Sequence, residues 1–380
     1  MSKPLRSFGY RTRDELALHK ALNKAVQQYL NDNHEHRFAD NRMLMKIVFL
    51  SAVCFALYMF MLTVHSKSAF LFSYAGFLFS TLFLAVNVVH DASHNTIFRQ
   101  EWANRWLNNV LTIPLGLDAD CWRVRHTICH HGHTNIKGYD LDIEENGILR
   151  QTPYQRWWFL MRWQHYYWPV AAALTFPIFI WVTDWLDRAG LTQVTPKLRH
   201  RGIKGWGYFL LSKALHLTIS LLVPMMAARA LSISTTEVIV AYLLSQMLSS
   251  LIFVVLILGT HWAKAKFYLP PEQGSMPHGW YHHNFSTTFD WLTTPQCLTY
   301  WIGGLNMHLT HHLYPNWNHR HYLKLAKVIE QTVSEFNIEY HCVTLRELFR
   351  YQQKFLREMG NNKGPDEDNF PGHHKADGEI

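Results

Sequence analysis

Four long apolar runs constrain this chain more than any other feature of its sequence. The runs cover residues 47–64, 69–89, 208–231 and 238–259. Only the third contains Lys, Arg or His, at Lys213, His216 and Arg229. A helix rises about 1.5 Å per residue, so roughly 20 such residues cross a hydrocarbon layer of about 30 Å. We therefore predict an all-α integral membrane protein with four transmembrane helices.

A fifth apolar run, residues 168–182, determines the predicted topology. It is 15 residues long and contains Pro169 and Pro177, which makes it short for a membrane span. If this run crossed the membrane, the histidines near the C-terminal end would lie on the opposite side from those that follow the second run. We therefore predict a re-entrant or interfacial helix here, with the four spans arranged as two hairpins.

Basic residues set the predicted orientation. His36, Arg37, Arg42 and Lys46 precede the first span, and such residues favour the cytoplasmic side. The chain then returns to the cytoplasm after each hairpin, so we predict a cytosolic helical cap in a multi-pass protein of a bacterial inner membrane or an ER-type membrane. We divide the chain into a cytosolic N-terminal segment (1–42), a membrane domain with its cap (43–350) and a polar, disordered tail (351–380).

Charge and cysteine content argue against other classes of protein. The net charge of +8 is spread over connections and tails without a dense basic tract, so we expect no nucleic-acid partner. The five cysteines include no CxxC pair, which indicates neither a disulfide framework nor a thiolate zinc site.

Eight of the 25 histidines form three clusters with the spacing of metal ligands. The clusters are His90 and His94, then His126, His130 and His131, then His308, His311 and His312. Residues three or four apart share a helix face, so each cluster presents its imidazoles to one side. A single helical pair is more often a surface feature, but all three clusters follow spans on one predicted face. We therefore predict that the eight rings converge on two metal ions.

The type of ligand restricts the chemistry. Neutral imidazole suits iron, copper or zinc, whereas an oxygen-rich set would indicate magnesium, calcium or manganese. The absence of an HExxH motif argues against a zinc protease. An all-histidine set large enough for two metals fits a membrane di-iron oxygenase better than a hydrolase. Two irons can share the electrons needed to activate O₂, and O₂ activated at iron can remove hydrogen from an unactivated methylene.

These motifs resemble those of the membrane fatty acid desaturases, most closely the acyl-CoA or acyl-lipid desaturases of the linoleoyl-type and front-end group. The similarity runs from about Val89 to Pro315. It includes HDASH at 90–94, WRVRHTICHHGHTNI at 122–136, RWQHY at 162–166, WYHHNFSTT at 280–288 and GGLNMHLTHHLYP at 303–315.

The resemblance implies a site and its cofactors. It implies that the eight clustered histidines bind two irons, that His261 after the last span adds a ligand, and that O₂ is the co-substrate. Two positions depart from the family pattern. Relatives often have glutamine at Asn284, and some branches have an asparagine that holds a metal-bound water where this chain has Ile257.

Supporting residues can also be nominated. Asp91, Asp140 and Asp142 are placed to accept the free N–H of a bound imidazole, although each could equally be a loop carboxylate or a helix cap. His283 and Asn306 are further candidates for this supporting role, and we expect that neither His133 nor His283 is itself a ligand.

We therefore predict a fatty acyl desaturase that forms a cis double bond with O₂ and two electrons. The substrate would be an acyl-CoA or acyl-lipid. The electrons would come from a separate donor of the ferredoxin or cytochrome b5 type, because the sequence contains no HPGG haem element, GxGxxG motif or cysteine cluster. A lipid hydroxylase with the same centre is the nearest alternative, and a histidine-rich metal transporter or sensor is a more remote one.

Overall fold

The computed structural model describes residues 7–262 and 264–362 and is mostly helical. The α-helices in these ranges are α1 (Leu16–Asp32), α2 (Asn41–Thr63), α3 (Lys67–Leu84), α4 (His90–Ser93), α5 (Glu101–Leu115), α6 (Ala119–Arg123), α7 (Gln164–Ala173), α8 (Thr175–Ile178), α9 (Asp184–Arg188), α10 (Gly202–Leu217), α11 (Val223–Arg229), α12 (Thr235–Ile257), α13 (Trp280–Thr287), α14 (Leu298–Trp301), α15 (His308–Leu313), α16 (Tyr322–Ser334) and α17 (Leu345–Gly360). Wider π-helical turns occupy Ala85–Val89, Val124–His130, Phe179–Thr183 and Thr218–Leu222. Tighter 3₁₀ turns occupy Arg13–Glu15, Leu141–Ile143, Phe159–Trp163, Thr195–Lys197, Leu258–His261 and His319–His321.

Four continuous helical stretches of the described chain are long and apolar enough to cross a membrane. They are Asn41–Thr63, Lys67–Ser93, Gly202–Arg229 and Thr235–His261. The first begins where the Asp40 carboxylate accepts a hydrogen bond from the Met43 N–H at 2.8 Å, which satisfies one of the free donors of the first turn. The prediction of four spans is confirmed, and the predicted all-α membrane fold is confirmed except for two short paired strands.

The two hairpins turn on the same side of the molecule. Ser234 and Glu237 cap the start of α12 reciprocally, and Glu237 also forms an ion pair with Lys67 at the start of α3, 2.5 Å away. This exposed pair contributes little to stability. It nevertheless shows that the turns lie together, so His90 and His261 lie together at the opposite ends of their spans.

The fifth apolar run is part of a bent pair of helical segments. Phe159–Ala173 and Thr175–Arg188 meet at 56°. Proline lacks an N–H and its ring clashes with the carbonyl four residues earlier, so Pro177 explains why the first segment stops at Ala173. The ring centroid of His131 lies 4.7 Å from that of His94, just after the second span, and 4.2 Å from that of His312. The His312 ring in turn lies 5.0 Å from that of His261, where the fourth span ends, so the second and fourth spans end on one side. This parity favours the predicted re-entrant arrangement over a fifth crossing.

A helical cap covers that side. Helices α1 and α16 pack together through an apolar core that includes Leu22, Leu325 and Ile329. Strand β1 (Asp290–Leu292) pairs in parallel with β2 (Cys342–Thr344), which connects the segment before α15 to the start of α17.

The predicted start of the polar, disordered tail, residue 351, lies within a helix and is therefore wrong. Residues 351–360 continue helix α17, whose apolar face is buried through Phe355, Leu356 and Met359. The amphipathic repeat of this helix is strong, but its many charged residues made the segment look like a tail in the sequence. The remainder of the predicted tail, from residue 363, lies outside the described residues.

Candidate metal centre

The first histidine cluster lies where the second span ends. His90 begins α4 directly after the π-helical turn at Ala85–Val89, and His94 ends that helix. Turns of this kind are frequent at functional sites. Asn87 within the turn donates to the carbonyl oxygens of Phe83 and Trp301, both at 2.9 Å. The wide turn is thereby attached to the segment that leads to the third cluster.

The second cluster lies on another π-helical turn, Val124–His130. The His131 N–H donates to the His126 carbonyl oxygen at 3.1 Å, which is the i to i+5 bond of a π-helix. This geometry brings the two Nε2 atoms within 3.3 Å of each other. A spacing of five residues therefore serves to place both imidazoles at one point.

The third cluster is fixed by a residue that the sequence did not indicate. Helix α15 carries His308, His311 and His312, and the buried Asp290 carboxylate lies at its N-terminal end. Asp290 accepts hydrogen bonds from the N–H groups of Leu309 (2.7 Å) and Thr310 (3.3 Å). It caps the helix and so ties the cluster to strand β1.

The nine predicted ligands come together, eight of them in two groups of four. Site A contains His90, His94, His126 and His311, and site B contains His130, His261, His308 and His312. Within each site one ring nitrogen of every histidine lies within 4.8 Å of the others. Ring centroids are 4.5–5.8 Å apart in site A. They are 4.7–6.4 Å apart in site B.

The ninth histidine, His131, lies between the two sites. Its ring centroid is 4.5 Å from that of His311 in site A and 4.2 Å from that of His312 in site B. It therefore touches both groups without belonging to either set of four.

The histidines satisfy the main requirement for a metal centre, because many of their nitrogens have no other partner. Buried nitrogens without a hydrogen bond in the protein include both ring nitrogens of His90 and His308 and the Nε2 atoms of His94, His261, His311 and His312. Buried polar atoms are almost always hydrogen-bonded, so a concentration of unpartnered nitrogens needs a cause. These nitrogens would coordinate two cations, one at site A and one at site B, and the residues present fit such a metal centre.

Burial keeps these imidazoles in the form that binds metal. Desolvation, reinforced by neighbouring histidines, lowers the pKa well below its usual range for six of them: His94, His126, His131, His308, His311 and His312. Neutral imidazole has a lone pair to offer, whereas the protonated ring has none.

Carboxylates give His130 a different environment. Its Nδ1 lies 3.1 and 3.2 Å from the two oxygens of Asp140 and 3.4 Å from Asp142. Burial alone would lower the pKa of His130, but the two carboxylates outweigh it and raise the pKa to about 9. Asp140 keeps a proton on Nδ1, so a metal ion at site B would displace only the Nε2 proton and would bind a ring that is a stronger donor.

Three further ligand candidates are oriented through Nδ1 by neutral oxygen atoms. His311 bonds the Tyr322 hydroxyl at 2.8 Å, and His312 bonds the Thr134 hydroxyl at 3.2 Å. His261 bonds the Thr287 carbonyl oxygen at 3.2 Å. Each bond points Nε2 of its ring into the centre.

Asp91 supports the centre less directly than predicted. Its carboxylate is 3.6 Å from His90 Nδ1, beyond a good hydrogen bond. Its close partners are His319 (2.8 Å) and Asn318 (2.7 Å), which sequence reasoning missed. Both follow the third cluster, so this carboxylate joins the first cluster to the third.

The other predicted supporting residues lie near the centre but bond elsewhere. His283 contacts the Thr134 carbonyl oxygen at 2.8 Å, and so acts on the residue that holds His312. Asn306 donates to the Trp291 carbonyl oxygen at 2.7 Å and connects β1 to the loop before α15. A role for either residue beside a bound metal stays a prediction.

Comparison with known proteins gives a consistent result. Residues 66–344 match the family model described as Fatty acid desaturase. The sn-1 linoleoyl-lipid 6-desaturase of Synechocystis sp. is 29% identical over 285 residues, covering 72% of this chain and 76% of that protein. The protein of the same name from Arthrospira platensis is 26% identical over 272 residues (67% and 68%). The acyl-lipid (8-3)-desaturase of Mortierella alpina is 25% identical over 285 residues (73% and 62%).

Proposed function

Because the chain belongs to the fatty acid desaturase family of O₂-dependent oxidoreductases, we propose that it forms a cis double bond in an acyl chain at two irons held by sites A and B. The observation that carries this proposal is the convergence of eight imidazoles, seven of them from buried residues and many with an unpartnered nitrogen, at or beyond the ends of the second and fourth spans. Imidazole sets of this kind suit ferrous iron, although zinc binds such sites more tightly.

Bound irons would supply the reductive activation of O₂ that removal of hydrogen from an unactivated methylene requires. One iron would be held at site A by His90, His94, His126 and His311 and the other at site B by His130, His261, His308 and His312, with His131 placed to complete either. The carboxylate of Asp140 and the hydroxyls of Tyr322 and Thr134 fix the orientation of the rings. Burial of the centre excludes water, which would otherwise compete for the reactive species.

An apolar cluster borders site A. Trp122 stacks on His126 with centroids 5.1 Å apart and planes 7° apart. It packs there on a cluster that includes Leu117, Phe176 and Leu305. We propose that the acyl chain reaches the irons along this cluster, because the methylene to be oxidised must lie against them.

The relatives' names support a lipid-linked substrate. The matched proteins are called linoleoyl-lipid and acyl-lipid desaturases. We propose an acyl-lipid carrier here, with electrons delivered by a separate ferredoxin-type or cytochrome b5-type protein. The basic residues before the first span support a cytoplasmic position for the centre.

Expression in a host without polyunsaturated fatty acids tests this proposal. The host would be fed defined saturated and monounsaturated fatty acids, and its lipids separated by class before mass spectrometry of the acyl chains. We expect a new cis double bond, appearing first in glycerolipid rather than in acyl-CoA. Hydroxylated chains would instead identify a hydroxylase, and metal uptake with unchanged lipids would favour a transporter.

A further inference from the structure

Helix α17 presents a strongly two-sided surface. Its buried face consists of Leu348, Gln352, Phe355, Leu356 and Met359. Four basic residues lie on the opposite side and form what we call the basic stripe. The stripe consists of Arg346, Arg350, Lys354 and Arg357, all of them exposed. At about 100° per residue these positions fall within one outward-facing strip.

The acidic residues of α17 do not neutralise the stripe. Glu347 forms a capping box with Thr344, accepting from its N–H and hydroxyl at 2.9 Å, and so is used at the helix start. Glu358 lies 3.7 Å from Lys354. Four cations therefore stand against two carboxylates, one of which is occupied by the cap.

The C-terminal end of α17 is fixed to the bent helix pair. Trp157 Nε1 donates to the Gly360 carbonyl oxygen at 2.7 Å, and Gln164 Nε2 donates to that of Leu356 at 2.9 Å. Gly360 packs so closely that a Cβ there would lie 2.4 Å from the Met161 carbonyl oxygen. The stripe is thereby held beside the turn Phe159–Trp163.

That part of the bent pair has the character of a membrane interface. Large side chains are exposed at Trp158, Phe159, Leu160, Trp163 and Tyr166, with exposed fractions of 42–70%. Aromatic residues concentrate at the level of lipid headgroups. Arg156 lies over the Trp158 ring at 4.2 Å, so basic and aromatic groups are already mixed at this edge.

We propose that the basic stripe binds anionic phospholipid headgroups at the membrane surface beside this aromatic band. Long Arg and Lys side chains reach headgroup phosphates while their stems cover apolar surface. Basic residues next to a membrane gain affinity for anionic lipid roughly in proportion to their number. An acidic electron carrier would also suit the charge, but attachment of the helix to the aromatic band favours lipid. This inference does not depend on the proposed reaction.

The test uses the full-length protein in nanodiscs of equal parts phosphatidylglycerol and phosphatidylcholine. After a detergent wash, mass spectrometry of the retained lipid gives the ratio of the two. We expect wild type to retain an excess of phosphatidylglycerol. We expect that excess to fall by about tenfold or more when all four stripe residues are changed to glutamine.

A matched control removes the same charge elsewhere. Lys20, Lys24, Lys324 and Lys327 are exposed on α1 and α16, and their change to glutamine should leave the excess unchanged. Raising salt from about 0.05 to 1 M should weaken lipid retention by the wild type, a measurement that needs no variant.

A stripe variant that retains phosphatidylglycerol as wild type does would overturn the proposal. If that variant also loses turnover driven by reduced [2Fe–2S] ferredoxin, the surface belongs to the electron carrier instead.

Discussion

Two kinds of buried cluster in this protein contain residues that commonly bind metals, and they differ in how their polar atoms are satisfied. Sites A and B consist of histidines whose inward nitrogens largely lack partners. A third group consists of Cys121, Asp184 and Asp187, and one sulfur or carboxylate oxygen atom of each lies within 4.8 Å of the others. We call this third group the carboxylate cluster.

Each carboxylate of that cluster already has a cation. Asp184 bonds Lys213 at 2.8 Å, and Asp187 binds Arg125 through two bonds of 2.7 Å. Nearby, Arg188 is paired in the same way with Asp118, at 2.8 Å. The network joins the bent pair to the segment that carries the second histidine cluster.

The comparison shows that residue type and proximity do not by themselves identify a metal centre. The carboxylates of that cluster are each paired with a cationic side chain, whereas sites A and B contain buried nitrogens without a protein partner that a bound cation would satisfy. Variants of the two regions should therefore fail in different ways.

The largest effect is expected at site A. His311→Ala should abolish desaturation, a loss of more than about a thousandfold, because it removes one of the four imidazoles of site A, and the Nε2 of His311 has no other partner in the protein. Membrane insertion should be unchanged. Product analysis and membrane fractionation measure the two quantities, with exposed His282→Ala as the control. Unsaturated product from the His311 variant would contradict the assignment of site A.

The carboxylate cluster should respond in stability. Arg125→Met leaves Asp187 buried without its cation, and breaking such a pair costs about 3–5 kcal/mol. Thermal unfolding in nanodiscs should show this loss, with partial recovery when Asp187→Leu is added. The exposed pair of Lys67 and Glu237 is the control, and Lys67→Gln should leave the unfolding temperature close to that of wild type because solvent screens this pair. If the double variant were no more stable than Arg125→Met alone, this account would be contradicted.

A smaller effect is expected at His130, where a carboxylate contacts an imidazole of the metal centre. Asp140→Asn removes the charge that holds the Nδ1 proton, which should weaken metal binding by about 10–100-fold. Asp142→Asn is the matched control, because Asp142 lies farther from His130 at 3.4 Å and is 38% exposed. Metal content after dialysis against a graded chelator series measures both. Equal losses from the two variants would show that only net charge matters.

Much of this arrangement followed from the sequence, because membrane spans and histidine spacing are local patterns. The four apolar runs predicted the four spans, and the short proline-containing run falls in a bent pair of helical segments, for which a re-entrant arrangement stays a prediction. The 126–131 spacing also contained a signal for a π-helical turn that an α-helical interpretation overlooked, since i and i+5 lie on one face only in the wider helix.

The contacts that orient the rings could not be predicted in the same way. His319 lies 228 residues from Asp91, and Asp290 lies 19 residues before the Leu309 N–H that it caps. No periodicity connects such pairs, because tertiary packing alone brings them together. Two further histidines just beyond the third cluster, His319 and His321, were a signal in the sequence that more residues support the centre.

The smallest predicted effect concerns the neutral partner of His311. Its Nδ1–H donates to the Tyr322 hydroxyl at 2.8 Å, and that hydroxyl donates in turn to the Trp317 carbonyl oxygen at 3.1 Å. Tyr322→Phe removes both bonds while keeping the ring in the core of the cap.

A neutral hydrogen bond contributes about 0.5–1.5 kcal/mol, less than one to a charged group, so metal affinity at site A should fall by less than about tenfold. The same chelator series measures it, and a loss larger than that of Asp140→Asn would contradict the ranking. The order of these two variants distinguishes charge from geometry as the main influence of surrounding residues on the metals: a carboxylate both orients its imidazole and raises its basicity, whereas a hydroxyl mainly orients it.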